Sequence, residues 1–156
     1  MSFDDDVRDL YQEVILDHGR KPRHGHRLTD FDATAKGDNP MCGDRVEVFV
    51  KFGDDGAIAE TGFEARGCAI SVASADLMAE TVRGRGKADT RALFETFREL
   101  VRTGHCPEHD TALDEPLERL APLAGVHEYP SRVKCATLPW HALVAALDGA
   151  KETTSE

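Results

Sequence analysis

Arg45-Val46-Glu47-Val48-Phe49-Val50-Lys51, followed by Asp54-Asp55-Gly56 and then by Ala57 to Ala65, is the stretch that decides the architecture. Val46, Val48 and Val50 alternate with Glu47, Phe49 and Lys51. That period of two predicts a strand with at least one buried face. Asp54-Asp55-Gly56 is turn chemistry, and Ala57 to Ala65 returns as a second strand, so a hairpin is the simplest product. Arg66-Gly67 breaks it just before Cys68.

On either side of the hairpin the periodicity becomes helical. From Asp4 to His18, Val7, Leu10, Tyr11, Val14 and Ile15 form one apolar stripe, which Gly19 and Pro22 end. Arg20 to Pro40 reads as an extended connection with one short strand. After the hairpin, Cys68 to Arg83 predicts a helix that turns Ile70, Ala73, Leu77 and Met78 inward. Thr90 to Thr103 and Asp114 to Leu123 predict two more. A last helix buries Leu143, Val144 and Leu147, and it is expected to begin a little after Cys135, because Pro139 suits only a first helical turn. The expected fold is α+β: a small antiparallel sheet of about three strands with helices packed on it. Residues 1–150 form a single domain, and residues 151–156 have nothing to bury and are expected to fray.

Bulk properties narrow the function. The 156 residues carry a formal charge of −10, which argues against nucleic-acid and anionic-membrane binding, since both need a basic footprint. No apolar run predicts a signal or a membrane span, and four cysteines in such a chain favour free thiols or metal ligands over disulfides. The expected location is the cytoplasm.

Three cysteines stand in pointed contexts: Asn39-Pro40-Met41-Cys42-Gly43-Asp44, Gly67-Cys68-Ala69-Ile70-Ser71, and Arg132-Val133-Lys134-Cys135-Ala136-Thr137. With Asp44 they supply three sulfurs and one oxygen, the number that closes a tetrahedral metal site. Cys68 opens a predicted helix, where free N–H groups and the helix dipole favour a thiolate. Cys135 follows Arg132 and Lys134 and is read as another helix start. Spacing alone leaves a second reading open, in which these thiols pack as small hydrophobes.

The contexts read together shift the balance. Leu10-Tyr11-Gln12-Glu13-Val14-Ile15-Leu16-Asp17-His18, Lys21-Pro22-Arg23, and the three cysteine motifs, the last extended through Leu138-Pro139-Trp140, resemble the IscU-like (NifU N-terminal-like) iron–sulfur assembly family. The resemblance runs from about Leu10 to Leu147. Lys134, where scaffold-type members carry a histidine, and a lengthened segment around Gly104 to Pro116 point to the SufU branch. That resemblance implies a zinc-dependent sulfurtransferase that accepts persulfide sulfur from a SufS-like cysteine desulfurase and serves downstream iron–sulfur assembly. The implied Zn²⁺ ligands are Cys42, Asp44, Cys68 and Cys135. Cys42, in a mobile loop, is the expected acceptor once partner docking frees it from the metal, with Arg132 steadying charge or contacting the partner. The alternatives are a scaffold on which a cluster is built and a zinc-binding interaction module without turnover. Cys106, in Gly104-His105-Cys106-Pro107-Glu108-His109, reads as a loop thiol outside the motif. His18, His24, His26, His127 and His141 read as surface or packing residues. Arg20, Lys21, Arg23, His24, His26 and Arg27 form a basic patch that could dock a partner or simply be solvated.

Overall fold

The computed structural model describes residues 3–40 and 43–154. Helix α1 (Phe3–Arg20) leads into strands β1 (Ala33–Asn39), β2 (Asp44–Phe52) and β3 (Ile58–Arg66). Helices α2 (Ala69–Thr81), α3 (Lys87–Thr103), α4 (Asp114–Leu120) and α5 (Pro130–Leu147) follow, and β4 (Glu152–Thr154) ends the chain. The sheet order is β3-β2-β1-β4. β1, β2 and β3 pair antiparallel, while β4 runs parallel to β1.

The expected α+β architecture is therefore present, with one strand more and one parallel pairing. Residues 152–154 do not fray: Lys36, Gly37 and Asp38 pair with Glu152, Thr153 and Thr154, and the Lys36 N–H donates to the Lys151 carbonyl at 2.8 Å. Backbone hydrogen bonds hold this strand and no apolar side chain does, so hydrophobic periodicity carried no trace of it.

Val46, Val48 and Val50 are buried as the alternation requires. Phe49, on the opposite face, is buried as well. The Phe31 ring lies 5.1 Å from it and the Arg27 guanidinium 4.9 Å from its centroid, so the segment after α1 folds back over that face. On the inner face α5 lies close across β1. A Cβ on Gly37 would stand 3.1 Å from Leu138 Cδ1 and 3.3 Å from Ala142 Cβ, and glycine there sets the helix–sheet spacing.

α5 departs most from expectation. It starts at Pro130, which occupies a first-turn position where its missing N–H costs nothing, and it continues through Pro139. A mid-helix proline costs about 3 kcal/mol. Packing offsets that: Leu138, Trp140 and Leu143 are fully buried, and Trp140 stacks on Phe94 and tilts against Phe97 at 5.0 Å. The tryptophan thus packs on α3. The predicted helix at Asp114–Leu123 ends as α at Leu120 and tightens into a 3₁₀ stretch, Ala121–Glu128, where Pro122 has no N–H to give.

Candidate metal and sulfur site

Three elements bring one donor each to a common point. Asp44 opens β2 and is 2% exposed. Cys68 caps the N-terminus of α2 with extended backbone. Cys135 sits in the second turn of α5, fully buried. One ligand atom from each, an Asp44 oxygen and the two sulfurs, lies within 4.8 Å of the others.

The backbone holds this geometry. The Cys68 N–H donates to Asp44 Oδ1 at 3.1 Å, while Asp44 Oδ2 lies 3.8 Å from Cys68 Sγ. Gly67 makes the approach possible, since a Cβ there would fall 2.2 Å from Asp44 Oδ1. Such a contact lies well inside van der Waals distance, so any other residue at 67 would push the carboxylate out of place. Asn39, buried and paired in register with Asp44, directs Nδ2 at Cys135 Sγ from 4.0 Å. The Cys135 thiol also lies 3.6 Å from the Ser131 carbonyl one turn back.

The two thiols titrate apart. Cys68 is lowered to about 6, chiefly because the Cys135 thiol donates to it, with the Ser71 and Ile70 N–H groups adding. Burial and the Asp44 charge oppose that shift. Cys135 is pushed up, first by giving that hydrogen bond and then by burial and Asp44. The helix-start argument therefore holds for Cys68 and fails for Cys135. Five residues of α5 precede Cys135, so the helix's unpaired N–H groups lie a turn away. Arg132, exposed and three residues before Cys135, is raised by the Cys68 charge first and by its hydrogen bond to Cys135 next. Its guanidinium thus faces both sulfurs.

Two sulfurs and a carboxylate suit zinc. Tetrahedral bonds of about 2.3 Å to sulfur and 2.0–2.2 Å to oxygen put neighbouring ligands ~3.5–3.8 Å apart, and the Cys68–Asp44 separation of 3.8 Å agrees. Cys42, the remaining expected ligand, lies outside the described residues. Cys106 does not join the group. It is exposed between α3 and α4, 3.5 Å from His109 Nδ1, while His109 Nε2 meets Asp114 Oδ1 at 2.7 Å.

Residues 10–136 match the family described as the NifU-like N terminal domain. The chain belongs to that family. A zinc-dependent sulfurtransferase SufU from Bacillus subtilis (strain 168) is 37% identical over 92% of each chain. An iron–sulfur cluster assembly scaffold protein IscU from Streptococcus pyogenes serotype M1 is also 37% identical, over 88% of this chain and 82% of that one. Among solved structures, a putative iron–sulfur cluster assembly scaffold protein for the SUF system from Fervidobacterium islandicum AW-1 superposes with a TM-score of 0.77 at 31% identity. That overlap covers 90% of this chain and 98% of the other. The NifU-like resemblance read from the motifs therefore stands.

Some residues escaped the sequence reading. Asn39 and Gly67 were visible only as motif neighbours, and their roles depend on contacts across the fold. His18 is no bystander: its Nδ1 meets the buried carboxylate of Asp76 at 2.5 Å. Nor is the basic patch a uniform free surface. Arg23 pairs with Asp17, Arg27 covers Phe49, and His24 faces Glu80. No helix among the described residues is long and apolar enough to cross a membrane.

Proposed function

We propose that this NifU-like domain is a zinc-dependent sulfurtransferase of the SufU type, which accepts persulfide sulfur from a cysteine desulfurase and passes it towards iron–sulfur assembly. The observation that carries this reading is the convergence of Asp44, Cys68 and Cys135. Similarity to the Bacillus subtilis sulfurtransferase supports it. Zinc would be held by these three with Cys42, and when bound it would keep the thiols deprotonated and shielded from oxidation.

The chain's own groups account for the chemistry. Cys42 is the proposed acceptor, two residues from Asp44 along the chain and flanked by Pro40 and Gly43. Its thiolate attacks the outer sulfur of the donor's cysteine persulfide. The donor's S–S bond breaks, its cysteine leaves as a thiolate that takes up a proton, and Cys42 keeps the transferred sulfur as a persulfide. No net oxidation occurs. Arg132 faces Cys68 and Cys135, where it steadies the negative charge that gathers during transfer. Lys134 adds positive charge where scaffold-type members carry a histidine. Thiols with this task need a reducing compartment, and we place the protein in the cytoplasm on that ground.

A cluster-building scaffold is the second reading, favoured by the equal identity to the Streptococcus pyogenes protein. The two separate in one experiment. The protein is purified from cells for metal analysis, then incubated with a cysteine desulfurase and cysteine. Relay predicts zinc, faster desulfurase turnover, and a mass gain of one sulfur atom on the peptide containing Cys42. Iron with visible cluster absorption supports the scaffold. A sulfur adduct on Cys68 with Cys42 untouched would remove Cys42 from its role.

A further inference from the structure

About two turns beyond Cys68, α2 carries a second set of donors. Asp76 is fully buried on a helix whose other buried residues include Ala73, Leu77 and Met78. Its Oδ2 meets His18 Nδ1 of α1 at 2.5 Å, and its Oδ1 accepts the His24 N–H at 2.8 Å. One turn further along α2, Glu80 Oε1 stands 3.7 Å from His24 Nε2. The donor atoms of His18, Asp76 and Glu80 lie within 4.8 Å of one another. The backbone pins the His24 segment, because the Phe63 N–H donates to the His24 carbonyl at 3.1 Å. Arg23 lies near both carboxylates, but its guanidinium is bonded to Asp17 at 2.5 Å.

We propose that His18, His24, Asp76 and Glu80 form a second divalent transition-metal site, independent of the cysteine site. Two imidazoles and two carboxylates from three separate segments are the donor set of zinc, iron(II) and cobalt(II) centres. The 3.7 Å gap between Glu80 and His24 is close to the ligand separation of about 3.3 Å that bonds of 2.0–2.1 Å impose. The His18–Asp76 pair is closed by a hydrogen bond. An ion takes the place of the bonding proton, and the two side chains part by somewhat under ~1 Å to share it. Glu80 and His24 are partly exposed and give the ion a way in from solvent. Asp76 lies eight positions after Cys68, about 12 Å along the helix, so the two ions would not share ligands.

Cobalt(II) tests this on the full-length chain, because thiolate ligands give an intense near-ultraviolet charge-transfer band and nitrogen–oxygen ligands do not. Equilibrium dialysis should find two cobalt ions per chain, only one of which adds to that band. The double variant His24→Ala/Glu80→Gln alters partly exposed side chains, and far-ultraviolet circular dichroism checks that it is folded. It should bind one ion with the band intact and lose at least tenfold in affinity at the other site. One ion per wild-type chain, or a second ion bound equally well by the variant, overturns the site and leaves a hydrogen-bonded brace between α1 and α2. Loss of the charge-transfer band with the second ion retained would instead count against the sulfur site alone.

Discussion

Helix α2 bears one donor cluster at its N-terminus and another in its middle, and they differ in how far apart their donors stand. At the N-terminus the Cys68 N–H fixes Asp44, Gly67 leaves room for the carboxylate, and Asp44 Oδ2 and Cys68 Sγ stay 3.8 Å apart. That is the edge of a coordination tetrahedron, held by backbone. In the middle, the His24 N–H holds Asp76 Oδ1 in the same way, at 2.8 Å, but Asp76 Oδ2 and His18 Nδ1 have closed to hydrogen-bond distance, 2.5 Å. A site already spaced for its ion meets it with little rearrangement. A site closed by a hydrogen bond must open first, so the cysteine end should bind far more tightly.

The largest effect should come from the cysteine end. Cys135→Ser is expected to weaken zinc binding by more than about 100-fold, beyond what loss of an outer-shell partner costs, while His24→Ala leaves it unchanged. A chelator competition measures both. If the two variants lose affinity equally, the contrast between the clusters collapses. Gly67→Ala comes next. Its Cβ would overlap Asp44 Oδ1, and zinc affinity should fall roughly 10–100-fold with all four ligands still present. Unchanged affinity would mean that the carboxylate is not held where the backbone puts it.

The two sulfurs sharpen the comparison further. In metal-free protein Cys68 should alkylate readily at neutral pH and slow as the pH falls below about 6, where its thiolate is lost. Cys135 should stay nearly inert through the same range, because its thiol is pushed up by the bond it gives to Cys68 and by burial. Peptide mapping after iodoacetamide treatment reads both. Equal rates at pH 7 would show that the thiols do not divide the proton in this way.

These contrasts also show what the sequence made legible. Cys68 sat beside the Arg66-Gly67 break and at a helix start, so its place and the hairpin could be read locally. Asp76 offered no such signal. It lies among Ala73, Ala75, Leu77 and Met78, and its partners are 58 and 52 positions away at His18 and His24. Only its burial in the fold shows that such a carboxylate must find a partner. Cys135 was misplaced for a related reason. Pro139 has the look of a helix start, and only the packing of Leu138, Trp140 and Leu143 explains how the helix continues through it.

Asp76→Asn tests the middle cluster without touching the sulfur site. It keeps the shape and an acceptor for the His24 N–H but weakens a charge-assisted bond to His18. Urea unfolding should show a loss of about 1–3 kcal/mol, with zinc affinity at the cysteine end unchanged. A stability unaffected by the change would mean that His18 and Asp76 do not brace α1 on α2.

The smallest effect should come from the other end of the chain. Removing residues 152–156 deletes β4, which pairs at only three positions and buries no large apolar side chain. A net hydrogen bond stabilises by about 0.5–1.5 kcal/mol, and ordering each residue's backbone costs about 1–2 kcal/mol. The two nearly cancel, so the truncated protein should lose no more than about 1 kcal/mol in the same urea experiment. It should bind zinc as before, since Asp38 is the last β1 residue that β4 reaches, one short of Asn39 beside Cys135. A large loss of zinc affinity would mean that the sheet edge steadies Asn39, tying the metal site to the strand that the apolar pattern failed to announce.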